Sequence, residues 1–269
     1  MWLGRREINE RYVDMSHGKT RYLEAGSGPP LILLHMFGLT KGAHCWLLNI
    51  EELAERFHVL APDYVGWGFG DRLNQAYSFG YLVDFVREFQ DVLGFERTHV
   101  VGHAVGGWIA MLLAYESPQR VDKLVLAGSG GLSQPIRAEH AKTPTPEDIR
   151  ARLEKTMNVS PEDLDRLTDE EVRITQLPGA LDAYQRVLEH FADTENRDRY
   201  EVSRRFPHIA VPTLIVWGGR DEVTNMDMAR TLQTGIPESR LTVIEDGGHY
   251  LPTTHAPEFN RIVAEFLAG

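Results

Sequence analysis

The order of apolar and polar positions predicts strands that alternate with helices along most of the chain. Residues 5–25 alternate between polar and apolar and predict a β-hairpin that turns near Ser16. Short continuous apolar runs, which are typical of strands buried in a parallel sheet, follow at 31–34, 58–61, 99–101, 123–127, 213–217 and 241–244. Helical spacing of apolar residues is found at 46–57, 79–93, 105–115, 226–233 and 257–267. This pattern predicts an α/β fold with a mostly parallel twisted sheet and helices on both faces.

The alternation stops near residue 133 and resumes near residue 206. No strand pattern is found between these points. Three helix starts are predicted there instead, each by a capping hydroxyl with an acid three residues later, at Thr145, Ser160 and Thr168. We therefore predict a core made of residues 1–132 and 206–269, with residues 133–205 inserted as a helical lid over the carboxyl edge of the sheet.

The segment from Gly102 to Gly106 has the spacing of the G-x-S-x-G nucleophile elbow, a strained turn between a strand and a helix. The predicted strand before it and the helix after it suit that motif. Ala104 occupies the central position, where the motif has serine. The pattern therefore indicates a nucleophile position without a nucleophile. The same glycine spacing also occurs in turns that are only structural, so other residues must decide between the two interpretations.

Two downstream residues complete a candidate catalytic set. Asp221 follows the predicted strand 213–217, and His249 follows the last predicted strand. Both lie at strand carboxyl ends, where open parallel sheets bind ligands, and their chain order is that of hydrolase triads. Alone, each residue would more often be a cap, a surface charge or a structural histidine. Together they favour a pair in which the imidazole transfers a proton and the carboxylate orients it, with Glu222 and Asp246 as alternative acids.

An oxyanion hole would use backbone N–H groups beside these residues. One donor is predicted to be Val105, directly after the nucleophile position, and the other Phe37 or its neighbour Met36, after the first buried strand. Five side chains are predicted to contact substrate: His35, His103, Trp108, Arg173 and Tyr250.

The composition and net charge argue against several classes of function. The formal net charge of −11 argues against nucleic acid and gives no attraction to an anionic membrane. Cys45 is the one cysteine, so no intrachain disulfide can form. No apolar run approaches the roughly 20 residues of a membrane helix, and residues 1–7 do not resemble a signal peptide. We expect a cytoplasmic protein that acts on a small molecule. The sequence leaves open whether the protein forms a homo-oligomer.

Neither a cofactor nor a metal is expected. The glycines between Gly66 and Gly70 lack the third glycine of a dinucleotide loop, and Asp71 would repel a phosphate. The eleven histidines show no spacing typical of metal ligands.

Five segments together resemble the α/β-hydrolase superfamily over nearly the whole chain. They are His35-Met-Phe-Gly, Pro62-Asp-Tyr-Val-Gly-Trp-Gly, Gly102-His-Ala-Val-Gly-Gly, Trp217-Gly-Gly-Arg-Asp and Gly248-His. Within that superfamily, residues 61–72 and 258–266 are similar to meta-cleavage-product hydrolases, which split carbon–carbon bonds in ring-fission products of aromatic compounds. The resemblance implies a core sheet with a helical lid, no cofactor, and a substrate held between lid and elbow.

The chain departs from that family at three places. The loop after the first buried strand reads His35-Met36-Phe37 where the family has His-Gly, and Tyr250 replaces a frequent tryptophan. In the family, an arginine of the lid holds the substrate carboxylate. This chain has Glu171 at that position, and Arg173 is nearby in the sequence. Without that arginine, an ester or lactone of a fairly apolar acid is favoured over a dienoate, and cleavage of a C–C bond stays an alternative.

Ala104 has two competing explanations. An active serine hydrolase has undergone a single engineered or recent substitution, or the protein naturally lacks the nucleophile. In the second case it is a cofactor-free lyase or oxygenase that uses His249 and Asp221, or a ligand-binding protein without activity. The first is favoured because the elbow glycines, the acid and the histidine all remain around a costly backbone conformation.

Overall fold

The computed structural model describes residues 7–132 and 141–269. Its sheet has eight strands in the order β1-β2-β4-β3-β5-β6-β7-β8. The strands are β1 (Asn9–Met15), β2 (Gly18–Ala25), β3 (Pro30–Leu34), β4 (His58–Pro62), β5 (Thr98–His103), β6 (Val121–Ala127), β7 (Thr213–Gly218) and β8 (Arg240–Ile244). All pairs from β4 to β8 are parallel, whereas β1 and β2 form an antiparallel hairpin at one edge. The predicted mostly parallel sheet is confirmed.

Ten α-helices connect and flank the strands in the described residues. They are α1 (Leu47–Leu53), α2 (Phe79–Val92), α3 (Val105–Glu116), α4 (Pro146–Thr156), α5 (Pro161–Thr175), α6 (Ala180–Ala192), α7 (Thr194–Tyr200), α8 (Met226–Gly235), α9 (Leu251–Thr254) and α10 (Ala256–Ala268). The helix predicted over 46–57 is shorter, because a 3₁₀ turn at Ala43–Trp46 precedes it and the chain leaves the helix after Leu53.

The predicted helix start at Thr168 is wrong. Thr145 and Ser160 do cap helices, since each side chain accepts a hydrogen bond from the backbone three residues on. Thr168 lies inside α5, and its hydroxyl donates to the carbonyl of Leu164 in the preceding turn at 2.7 Å. A threonine hydroxyl can bond in either direction, so the capping pattern alone does not locate a helix start.

The central strand β3 shows why the apolar runs are continuous. Its Ile32 and Leu34 enter the apolar cluster on one face of the sheet, whereas Leu31 and Leu33 enter the cluster on the other. Helices cover both clusters, so every side chain of such a strand is buried. The parallel arrangement brings the carboxyl ends of β3, β5, β6, β7 and β8 to one edge.

Helices α4 to α7 lie between β6 and β7, in the part of the sequence where the lid is predicted. The predicted start of that lid at residue 133 lies outside the described residues, so the domain boundaries remain predictions. Within the described ranges, no helix is long and apolar enough to cross a membrane.

Candidate active site

The turn between β5 and α3 has the backbone strain of an elbow. Ala104 lies between the two elements with φ 51° and ψ −114°, a region that non-glycine residues rarely adopt. A Cβ on Gly102 would collide with the carbonyl oxygen of Gly106, and a Cβ on Gly106 with that of Leu34. The two glycines therefore allow strand and helix to approach closely, which holds residue 104 at the sheet edge.

The structure brings Asp221 and His249 together. Asp221 Oδ2 lies 2.9 Å from His249 Nδ1, and Oδ1 accepts the backbone N–H groups of Val223 and Thr224, each at 2.8 Å. Burial alone would raise the pKa of Asp221, but the hydrogen bond and charge of His249 and the bonds from Thr224 lower it below its ordinary value. The site therefore keeps a charged carboxylate behind the imidazole.

A cavity of about 210 Å³ is lined by both Ala104 and His249. Its lining is mainly apolar and consists of Met36, Phe37, Ala104, Val105, Trp108, Gly130, Gly131, Leu132, Val223, Thr224, Met228 and His249. The nucleophile position, the histidine and both predicted oxyanion segments thus share one space. Val105 begins α3, so its N–H has no acceptor within the helix and can donate to a ligand.

His35 and His103 do not line this cavity. The ring of His35 donates from Nδ1 to the Met36 carbonyl at 2.7 Å and accepts the Tyr64 N–H at Nε2. It therefore helps to hold the oxyanion loop, residues 35–37 after β3. Burial lowers its pKa to about 4. Both histidines were predicted to contact substrate, and the structure places them beneath the site instead.

His103 connects the elbow to the histidine loop. Its Nε2 lies 2.8 Å from the backbone carbonyl of His249 and donates to it. Burial first, and then the neighbouring His249, lower the pKa of His103 to about 3, so the ring is neutral. Tyr250 packs its ring edge-on against His249, with centroids 5.7 Å apart.

Two side chains of the predicted lid, Arg173 and Glu171, lie away from the cavity. Arg173 is exposed and lies over the ring of Phe69, 5.1 Å from its centroid, outside the cavity lining. Glu171 is fully buried and pairs with Lys41 and Arg152. Neither residue lines the cavity. The alternative acids are likewise elsewhere: Glu222 is exposed, and Asp246 pairs with His255 at 3.5 Å.

Thr224 is a residue that sequence reasoning missed. Its hydroxyl lies 2.7 Å from Asp221 Oδ2 and 3.3 Å from His249 Nδ1. A hydroxyl three residues after the candidate acid was the available signal. Across 7–132 and 141–269, no group of three or more His, Cys, Asp or Glu side chains could hold a metal ion.

A family model for the alpha/beta hydrolase fold matches residues 29–256, which include the elbow, Asp221 and His249. This chain belongs to the α/β-hydrolase family. The hydrolase is 33% identical to 2-hydroxy-6-oxononadienedioate/2-hydroxy-6-oxononatrienedioate hydrolase 2 of Pseudomonas putida, over 97% of this chain and 94% of that protein. It is 31% identical to 2-hydroxy-6-oxo-6-phenylhexa-2,4-dienoate hydrolase of Comamonas testosteroni, over 97% and 94%.

One similar solved structure is itself a serine-to-alanine mutant. The α/β hydrolase superimposes with a TM-score of 0.82 on a serine-to-alanine mutant of a meta-cleavage product hydrolase from Pseudomonas fluorescens, which was complexed with acetates. The two chains are 28% identical, over 97% of this chain and 98% of that one. The resemblance to C–C bond hydrolases is thus confirmed.

Proposed function

We propose that this protein has the site of a serine-type hydrolase for an ester, lactone or C–C bond of a fairly apolar small molecule, with alanine in place of the nucleophile. One observation carries the proposal. Ala104 keeps the strained φ of 51° at a cavity that also contains His249, which is already hydrogen-bonded to Asp221. Such strain persists where a reacting atom must be exposed, and alanine gains nothing from it.

With serine at position 104, His249 would remove the hydroxyl proton while that oxygen attacks the substrate carbonyl carbon. The N–H of Val105 and that of Phe37 or Met36 would hold the oxyanion. His249 would then protonate the leaving group, and a water, deprotonated by the same histidine, would release the acid from the acyl-enzyme. Ala104 removes the attacking oxygen, so the chain as written is expected to bind substrate and turn it over very slowly.

The residues that line the cavity favour an uncharged substrate. Its described lining contains no lysine or arginine, and neither Arg173 nor Glu171 contributes to it. The named relatives act on dienoates, and a buried carboxylate needs a paired cation. This supports an ester, a lactone or a neutral ketone over a dienoate. The net charge of −11 argues against a nucleic-acid partner. A small-molecule partner and a cytoplasmic location are part of the proposal.

A second function is a cofactor-free lyase or oxygenase that uses the His249–Asp221 pair as a base. The observation in its favour is that the pair is fully assembled although no serine is present to be activated. A ligand-binding protein without activity would need neither the pair nor the strain.

The deciding experiment replaces Ala104 with serine and assays aryl esters, lactones and ring-fission dienoates. Loss of a triad serine costs about 10⁶ in kcat, so Ala104→Ser should raise turnover of at least one substrate by several orders of magnitude. The matched control is the same variant with His249→Ala, which should lose that gain. If the serine form hydrolyses none of the panel, the hydrolase proposal fails. Turnover by the alanine form that His249→Ala abolishes would establish base chemistry instead.

A further inference from the structure

We propose that Thr224 is a positioning residue of the catalytic pair, whose hydroxyl holds the Asp221 carboxylate and thereby sets the proton affinity of His249. Its effect on turnover rests on the proposed function. Its effect on His249 does not, because that effect follows from the geometry alone.

Asp221 has four hydrogen-bond donors around its two oxygens. Oδ1 accepts two backbone N–H groups, and Oδ2 receives His249 Nδ1 at 2.9 Å and the Thr224 hydroxyl at 2.7 Å. Thr224 is 4% exposed and lies in the cavity wall. The hydroxyl is therefore a direct competitor of the imidazole for one carboxylate oxygen, in a place that solvent barely reaches.

The position of Thr224 is held from the other side. Its carbonyl accepts the indole N–H of the fully buried Trp217 at 2.7 Å. The hydroxyl has a second acceptor, the Gly128 carbonyl, but at 3.3 Å. Because bonds to a charged carboxylate are shorter and stronger than those to a neutral carbonyl, the single hydroxyl proton goes to Asp221. The Thr224 oxygen then presents a lone pair towards His249 Nδ1 at 3.3 Å.

The direction of the effect follows from the charge. A donated proton stabilises the negative charge on Oδ2, which weakens the attraction of that oxygen for a protonated imidazole. Removing the hydroxyl should strengthen that attraction and raise the pH at which His249 titrates. Besides Tyr250, whose ring packs edge-on at 5.7 Å, the titratable ring packed against His249 is His103, with centroids 5.2 Å apart, and it is neutral over the relevant range. It therefore does not mask the change.

The first test is an NMR titration of the histidine side chains in the protein as it stands, with alanine at position 104. Thr224→Val should raise the titration midpoint of His249 by about half a pH unit or more. Thr224→Ala should do the same, which covers the case in which valine does not fold. Thr224→Ser keeps the hydroxyl and should leave the midpoint unchanged. The matched control is Thr231→Val in α8, where the exposed hydroxyl donates to the Asp227 carbonyl of its own helix. An unmoved midpoint in folded Thr224→Val or Thr224→Ala overturns the proposal.

The second test adds each variant to Ala104→Ser. Thr224→Val should lower kcat by about 10- to 100-fold with KM nearly unchanged, and the acidic limb of the pH–rate profile should shift with the NMR midpoint. Thr224→Ser should restore kcat. If kcat is unchanged while the midpoint moves, Thr224 has no positioning role in turnover. If Ala104→Ser is inactive on every substrate, the proposed function fails while the NMR titration still decides the role of Thr224.

Discussion

At Ala104, the backbone conformation is one that an alanine side chain does not favour. Its φ of 51° suits glycine, and the serine of an elbow tolerates it for the sake of an exposed hydroxyl. The backbone N–H still donates to the Ala127 carbonyl at 3.0 Å, so neighbouring strands hold the conformation. The strain is therefore imposed by the sheet and the two elbow glycines, whatever side chain occupies the position.

Replacing Ala104 with glycine should stabilise the protein. Relief of a strained backbone of about 1–3 kcal/mol outweighs the extra chain entropy of glycine, about 0.5–1 kcal/mol. We expect the free energy of unfolding in urea to rise by about 1 kcal/mol. The matched control is Ala151→Gly, on the exposed face of α4, which should lower it by about 1 kcal/mol. Equal destabilisation by both substitutions would contradict strain at position 104.

At the scale of elements, a buried ion cluster fixes helix α5 to the core. Glu171, which is 0% exposed, contacts Lys41 Nζ and His44 Nε2, each at 3.2 Å, and Arg152 of α4. Burial alone would raise the pKa of Glu171, but these cations and the His44 hydrogen bond lower it well below its ordinary value. Lys41 follows the oxyanion loop, so the cluster connects that loop to α5.

Breaking this cluster should be far more costly than breaking a surface pair. Glu171→Gln leaves Lys41 and Arg152 without their carboxylate, and we expect a loss of about 3–5 kcal/mol in the free energy of unfolding. The control is Glu162→Gln in the same helix, where a side chain 75% exposed pairs with Arg166 and the loss should stay below about 1 kcal/mol. Similar losses for the two variants in chemical denaturation would refute the anchoring role.

At the scale of the whole molecule, buried histidines with lowered pKa values make stability depend on pH, and His35 and His103 have the largest shifts. The folded-state pKa is about 4 for His35 and about 3 for His103, against 6.5 in the unfolded chain. Below pH 6.5 the unfolded state binds more protons than the folded state, so stability falls as pH falls. Each histidine contributes roughly 1.4 kcal/mol per pH unit in this window.

We expect urea unfolding between pH 6 and pH 4.5 to show a loss of roughly 2–3 kcal/mol per pH unit. The pKa values of His99 and His190 are also lowered by burial. His103→Gln removes the group with the lowest pKa of the four and should reduce that slope by roughly 1 kcal/mol per pH unit. His208→Gln, at an exposed site, is the control and should leave the slope unchanged. A flat profile for the unsubstituted chain over this range would mean that the two rings are not held neutral.

Much of the fold and the centre of the site could be predicted because their causes are local. Strands buried on both faces need continuous apolar runs, as in β3, and the elbow needs small residues where Gly102 and Gly106 stand. The order of the elbow, Asp221 and His249 follows from which strand each residue succeeds. Thr168 shows the limit of local patterns, since its capping signature lies in the middle of α5.

The sequence by itself determined the sheet, the elbow and the place of Ala104 at its centre. Only the tertiary structure decided what the remaining polar side chains do. His103 bonds to the carbonyl of His249, 146 residues away in the sequence, and Lys41 pairs with Glu171, 130 residues away. The periodicity of apolar residues does not predict such pairs. They depend on how the loops at one sheet edge pack, and a buried polar group must find its partner there because burial without one is too costly.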